Sequence, residues 1–288
     1  MTPTHLSHSE ECFIRDAAAY LEQQSFLMKL ADLIGEPLQA VASRVVPPTV
    51  AQLGDHALRK AMDLAVGTVP HGAHDNDLEQ AYSESGWTGL WHRLAATVTG
   101  GAGGVLGWPG LMIELPVTTG ILFRSIGAIA SDFGEDLRST ETRLECLTVF
   151  SHGGPGPDDD AMEASFITSR LAMSKLVRDA AKYVAEHGAT KAASSAVTQR
   201  SAPALITLMS RVTAEFDVTV SQKLLAQSMP VISIATGALI NNAFADHFNR
   251  VARFHFGMRK LERCYGEEQV HAAYREQLTH LRAATRIR

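Results

Sequence analysis

The sequence lacks any paired cysteine motif: Cys12, Cys146 and Cys264 form no C-x-x-C and lie in apolar or amphipathic stretches. Neither a disulfide framework nor a zinc ribbon is available, and a reducing compartment fits best. Excess positive charge is also missing. With 26 Lys plus Arg against 31 Asp plus Glu, the formal net charge is -5, which excludes a surface built to coat nucleic acid. Charged residues make up only 20% of the chain and hydrophobic ones 45%, so wholesale disorder is excluded too. The opening MTPTHLSHSEE has neither a basic n-region nor an apolar h-region, so the expectation is a cytoplasmic protein without a secretory signal. No G-x-x-x-x-G-K-[ST], G-x-S-x-G or H-E-x-x-H occurs, and GGAGGVLG follows no strand, so it fails the dinucleotide fingerprint. Strand periodicity and fixed-period repeats are absent as well, and no cofactor is expected.

What is present is helical periodicity. A capping box, Ser7 to Glu10, precedes apolar residues at helical spacing, Phe13, Ala17, Tyr20, Leu21 and Leu27 onward, with Gly35 as stop. Pro47-Pro48 breaks a short second helix, and a third runs over about 49–66. Residues 69–86 read as a polar loop. From Leu94 to Ile113 there are 20 residues without formal charge, in which Gly100, Gly103, Gly104 and Gly107 form two overlapping G-x-x-x-G patterns that suit close helix packing or insertion. Pro109 and Pro116 interrupt this run, so the spacing predicts a broken hairpin, then an apolar helix over 118–133 ending at Gly134. Further helices are predicted over about 140–150, 161–186, 203–227, up to Tyr265, and 267–283. A second uncharged run of 22 residues, LLAQSMPVISIATGALINNAFA, carries Pro230, Asn241 and Asn242 and makes a poor membrane span. The expected architecture is an all-α multi-helix bundle with two long apolar, Gly/Pro-interrupted helical segments and an amphipathic C-terminal helix. It reads as one domain over 1–288. Halves at 1–152 and 161–288 would be joined by the loop 153–160, and 267–288 would form a basic C-terminal helix and tail.

Two blocks carry a resemblance. GWPGLMIELPVTTGILFRSIGAIASDFGEDL, running into ETRLECLTVFSHGG, resembles the central signature of the EcsC protein family, in which a Glu-Leu-Pro turn leads into an apolar helix bearing Arg-Ser-Ile. PVISIATGALINNAFADHFNRVARFHFGMRKLERCYG is similar to that family's C-terminal block, although PVISIATGA is poorer in glycine than the family pattern. The likeness spans about residues 25–266. It implies a helical, membrane-associated protein, encoded in the family's namesake beside a bacterial ABC transporter, with no generally established reaction. A membrane transporter is therefore a candidate partner.

Individual residues suggest sites, each with a plainer alternative. Glu114 stands between Leu111-Met112-Ile113 and Leu115-Pro116, where a carboxylate is costly unless paired or protonated; Arg124 is its expected partner if Pro116 folds the segments together. This is either a structural ion pair or a ligand-binding carboxylate. On the helix through 241–265, Phe244, Phe248, His255 and Glu262 fall along one stripe. Val251, Phe254, Met258 and Leu261 form an apolar face beside it, and Arg253, Arg259, Lys260 and Arg263 gather on much of the rest. His255 with Glu262 could orient a proton-transfer pair, with His247 two turns earlier, or these histidines are core. Residues 247–288 hold nine basic and four acidic residues, a balance of +5, against 17 basic and 27 acidic elsewhere, a balance of -10. Such a helix either attracts anionic lipid or pairs with the acidic body. His71, His74, Asp75 and Asp77 in HGAHDND are metal-capable but define no known ligand geometry, so no metal is assigned.

Three functions follow as expectations. The leading one is a non-enzymatic protein peripheral to the inner face of the membrane, docking on anionic lipid as accessory to a membrane or transport process. The second is a hydrolase-like enzyme with an apolar or lipid substrate around Glu114, His247 and His255. The third is a membrane-active effector or pore former that uses the Gly-rich hairpin. Nothing in the sequence sets an oligomeric state.

Overall fold

The computed structural model describes residues 5–23, 55–59, 61–62, 108–152, 165–187, 203–227 and 234–286, and only the backbone at 108–114, 165, 224–227, 234–239 and 285–286. Among the described residues there is no strand. The elements are α1 (His8–Gln23), helical turns at 55–59 and 61–62, α2 (Trp108–Asp132), α3 (Thr140–Thr148) continued by a 3-10 turn (Val149–Ser151), α4 (Ser165–His187), α5 (Pro203–Gln227), α6 (Ile234–Tyr265) and α7 (Glu267–Arg286). The protein is all-α, as the periodicity predicts.

The capping box forms. The backbone N–H of Ser7 donates to Glu10 Oε2 at 2.7 Å, and that of Glu10 to Ser7 Oγ at 3.4 Å, satisfying donors that the first helical turn leaves open. The phenolic O–H of Tyr265 donates to the same Glu10 oxygen at 2.8 Å, which ties the start of α1 to the end of α6.

The predicted break at Pro116 does not occur. α2 runs unbroken for 25 residues with Pro116 inside it. An interior proline costs a helix about 3 kcal/mol, but α2 buries Leu115, Leu122, Ile126, Ile129 and Ala130 along its length. At roughly 1.5–3 kcal/mol for each large apolar side chain, burial outweighs the proline. The lower boundary was legible: Gly134 takes φ 80, with its N–H bonded to Ser131 O at 2.9 Å and that of Glu135 to Ala130 O at 3.0 Å. These two bonds make a Schellman cap, which needs a residue free of a Cβ at the left-handed position.

α6 is the axis of the bundle, packing on α1, α2, α5, α7 and the 3-10 turn. Its apolar face of Val251, Phe254, Met258 and Leu261 is buried. At Gly257 a Cβ would overlap the ring of Phe13, so glycine lets α1 lie directly on α6. Gly266, at φ 90, ends α6 and turns the chain into α7.

Candidate functional site

The C-terminal half of α6 carries the described residues' densest group of ionisable side chains, and the Schellman cap of α2 sets it up. The cap delivers Glu135 into the bundle, where the Nε–H of Arg259 donates to its Oε1 at 2.9 Å and Nη2 to Oε2 at 3.3 Å. Arg263 also pairs with Glu135, and its Nη2 donates to Phe133 O at 2.6 Å. Arg143 braces the same turn by donating to the carbonyls of Leu137 and Arg138, both at 2.9 Å. From α3, Glu145 lies 3.3 Å from Arg259 Nη1 and 3.1 Å from His255 Nε2. The angle of the His255 approach falls short of a hydrogen bond, so the two are close without being aligned.

One turn further along α6, Glu262 receives a two-pronged bond from Arg170 of α4, 2.8 Å on each oxygen, and lies 2.8 Å from His271 Nε2 of α7. Between these groups the ring of His152 stacks on that of His255, centroids 5.3 Å apart, with Phe166 edge-on to His152 and under the Arg170 guanidinium. His255 is 0% and His152 4% exposed.

The electrostatics balance. Three carboxylates, Glu135, Glu145 and Glu262, meet three guanidiniums, Arg170, Arg259 and Arg263. Burial pushes the Glu135 carboxyl up, but hydrogen bonds and charge from Arg259 and Arg263 bring it below the ordinary value. Glu262 follows the same pattern, with Arg170 and His271 overcoming burial. Both histidines are driven well below the ordinary value, chiefly by burial, then by His255 and Arg170 for His152 and by Arg170 and Arg259 for His255. They are neutral at neutral pH, so they add no charge to the three carboxylates and three guanidiniums, which cancel. Each carboxylate already holds a guanidinium, and the ring nitrogens His152 Nε2 and His255 Nδ1 have no hydrogen-bond partner among the described residues.

The residues singled out from the sequence are dispersed. His255 faces Glu145 rather than Glu262, its expected partner. His247, elsewhere on α6, lies 3.2 Å from the Tyr20 hydroxyl through Nδ1. Arg259 and Arg263, expected to face lipid, are engaged with Glu135, while Arg253 and Lys260 are half-buried. Asn241 is half-buried and Asn242 exposed near the start of α6. Because α2 does not fold back at Pro116, Glu114 and Arg124 are ten residues apart on one helix, about 15 Å along its axis, and Arg124 is exposed. The turn that their pairing required is absent from α2. Gly100, Gly103, Gly104 and Gly107, the metal-capable His71, His74, Asp75 and Asp77, and the loop 153–160 lie outside the described residues. Among the described residues no group of three metal-capable side chains converges, and no helix is long and apolar enough to cross a membrane.

Sequence reasoning missed Glu135, Glu145, His152, Arg170 and His271. A signal existed for three of them. Glu145 interrupts the apolar LECLTVF, Arg170 falls on the buried stripe Phe166, Ile167, Met173 and Val177, and His271 beside Val270, Tyr274 and Leu278. A charged or polar residue on the apolar face of a helix needs a partner there.

Among known protein families, residues 15–261 match the EcsC protein family, and the chain belongs to it. No curated protein and no solved structure matches it.

Proposed function

We propose that this EcsC-family protein is a non-enzymatic, membrane-associated helical protein that docks on anionic lipid as accessory to a membrane or transport process. The sealed and charge-balanced cluster on α6 supports the non-enzymatic part, since its carboxylates hold helices together and its histidines are shut from solvent. The observation that carries the docking is on α4. Leu171 is 50% exposed, and Lys175, Arg178 and Lys182 follow it at spacings of four, seven and eleven, which puts all four on one outward stripe. Asp179 and Glu186 border one edge of this stripe, Glu186 lying 4.0 Å from Lys182. Three cations against two bordering carboxylates leave the stripe net positive beside an exposed leucine, which suits an anionic headgroup layer at about 1 kcal/mol near the surface for each cation that is not offset. Arg259 is half-buried and both it and the exposed Arg263 are paired with Glu135, so docking falls to this stripe rather than to α6.

Flotation of the full chain with phosphatidylcholine vesicles, with and without phosphatidylserine, tests the proposal across a salt series. The expected result is binding to the phosphatidylserine vesicles alone, fading with salt and weakened at least about tenfold by joint reversal of Lys175, Arg178 and Lys182 to Glu. Binding that ignores the reversal, or no binding to either vesicle, overturns it.

A second reading, a hydrolase-like acid–base centre, is favoured by one observation, the Glu145 carboxylate 3.1 Å from His255 with His255 Nδ1 unbonded among the described residues. It predicts that His255→Gln abolishes hydrolysis of a long-chain ester probe while the melting temperature holds. Absence of hydrolysis in the unaltered protein removes this reading.

A further inference from the structure

Away from the α6 cluster, α5 and the helical turns at 55–59 and 61–62 line a half-open cavity of about 360 Å³. Its lining is Met62, Ile206, Met209 and Ala214 on the apolar side, with Ser210 and Thr213 hydroxyls and three charged groups, Asp55, Arg59 and Asp217. The size falls within the range of small-molecule sites, and apolar walls with few polar groups are their usual composition. Methionines let such a wall adapt to more than one shape.

The charges around the cavity do not cancel. Arg59 donates from Nε to Asp55 Oδ2 at 2.7 Å, a pair at the solvent side that satisfies both partners. Asp217 is left over, and its Oδ1 is buried without a hydrogen-bond partner among the described residues. Burial, and then the negative charge of Asp55, push its carboxyl up to about 7. A group so placed gains from an incoming cation that donates hydrogen bonds, and an anion would meet an adverse field.

We propose that this cavity binds a small organic cation, an ammonium group on an apolar body, with the nitrogen on the Asp217 carboxylate and the hydrocarbon against Met62, Ile206 and Met209. The Ser210 and Thr213 hydroxyls supply further acceptors for ammonium N–H groups. The site is separate from both the α4 stripe and the α6 cluster, so it stands or falls independently of the docking proposal.

Titration calorimetry of the full chain with n-hexylamine, n-hexanol and hexanoate tests it. Hexylammonium should bind, with the alcohol at least about tenfold weaker and the carboxylate undetected. Asp217→Asn should weaken the amine at least about tenfold with helix content unchanged by circular dichroism. Met209→Trp, which fills the cavity without touching a charge, should abolish binding of both amine and alcohol. Amine affinity should also rise about tenfold from pH 6 to pH 8 as Asp217 ionises, with the Asp55–Arg59 pair the other charged groups that face it across the cavity. Equal affinity for amine and alcohol, no amine binding at all, or amine binding unchanged in Asp217→Asn would each overturn the proposal.

Discussion

The two halves of α6 hold the bundle by different means. In the first half Phe244 and Phe248 meet Phe150 and Phe216 at centroid distances of 5.1 to 6.3 Å, and the Lys223 ammonium sits 4.7 Å over the Phe244 ring. In the second half His255, Arg259, Glu262 and Arg263 meet Glu135, Glu145, Arg170 and His271. Aromatic packing is graded: each methylene removed costs its own share of burial and leaves a cavity of its own size. An ionic cluster is not graded, because removing one partner leaves the other buried and uncompensated. The same helix thus has a half that tolerates adjustment and a half that requires its complete set.

The largest effect expected from this contrast is for single truncations in the ionic half. Arg170→Met leaves the Glu262 carboxylate with only the His271 ring and should cost about 3–5 kcal/mol in urea denaturation, and Glu135→Ala, which leaves Arg259 with Glu145 alone beside a second guanidinium, about 2–4 kcal/mol. A loss under 1 kcal/mol for either would erase the distinction between the halves. Acid should come next. The folded pKa values of His152 and His255 lie below the unfolded 6.5, so the unfolded chain takes up protons first. Their stabilisation is complete above about pH 6.5 and drains as pH falls, by up to about 1.4 kcal/mol per pH unit for each ring. Glu135 and Glu262, held below the ordinary carboxyl value, add to the loss below about pH 4.5. Asp217, pushed up to about 7, works with the opposite sign, its contribution lost as pH rises from 3.8 toward 7. A melting-temperature series from pH 8 to pH 4 should therefore fall toward acid, and His255→Gln should flatten it between pH 6.5 and 5.

Smaller effects sharpen the same comparison. Phe248→Leu keeps most of the buried volume and should cost about 1–1.5 kcal/mol by denaturation, an intermediate loss of the kind the ionic half does not offer. Joint replacement of Arg170 by Met and of Glu262 and His271 by Leu removes a complete set, and stability should stay within about 1 kcal/mol of the unaltered protein or rise above it. If this triple variant is as unstable as Arg170→Met alone, the penalty comes from packing and not from stranded charge.

The halves also differed in how far the sequence disclosed them. Phe244 and Phe248 stand at helical spacing beside Val251, Phe254, Met258 and Leu261, so the buried side of α6 was readable from periodicity. Helix ends at Gly134 and Gly266 were readable because the left-handed conformation suits glycine. The partners of the charged residues were not. Arg259 and Arg263 follow Glu135 by 124 and 128 residues, and Glu262 follows Arg170 by 92. Periodicity places a side chain on a face, but only tertiary packing decides which distant face it meets. The surplus of basic residues after position 246 therefore looked available to lipid when part of it answers acids on α3 and the turn before it. Pro116 misled for a related reason: its local cost is fixed, while the burial that offsets it depends on what α2 packs against.

Arg259 of α6 turns into the bundle and is neutralised there by Glu135 and Glu145. A double-mutant cycle joining Glu135→Gln and Arg259→Met, read by urea denaturation of the full chain, tests it most directly. A coupling of about 1.5–3 kcal/mol is expected, with the double variant more stable than the sum of the single losses implies. Additive losses, with a coupling under about 0.5 kcal/mol, would place Arg259 outside the cluster and return it to the surface.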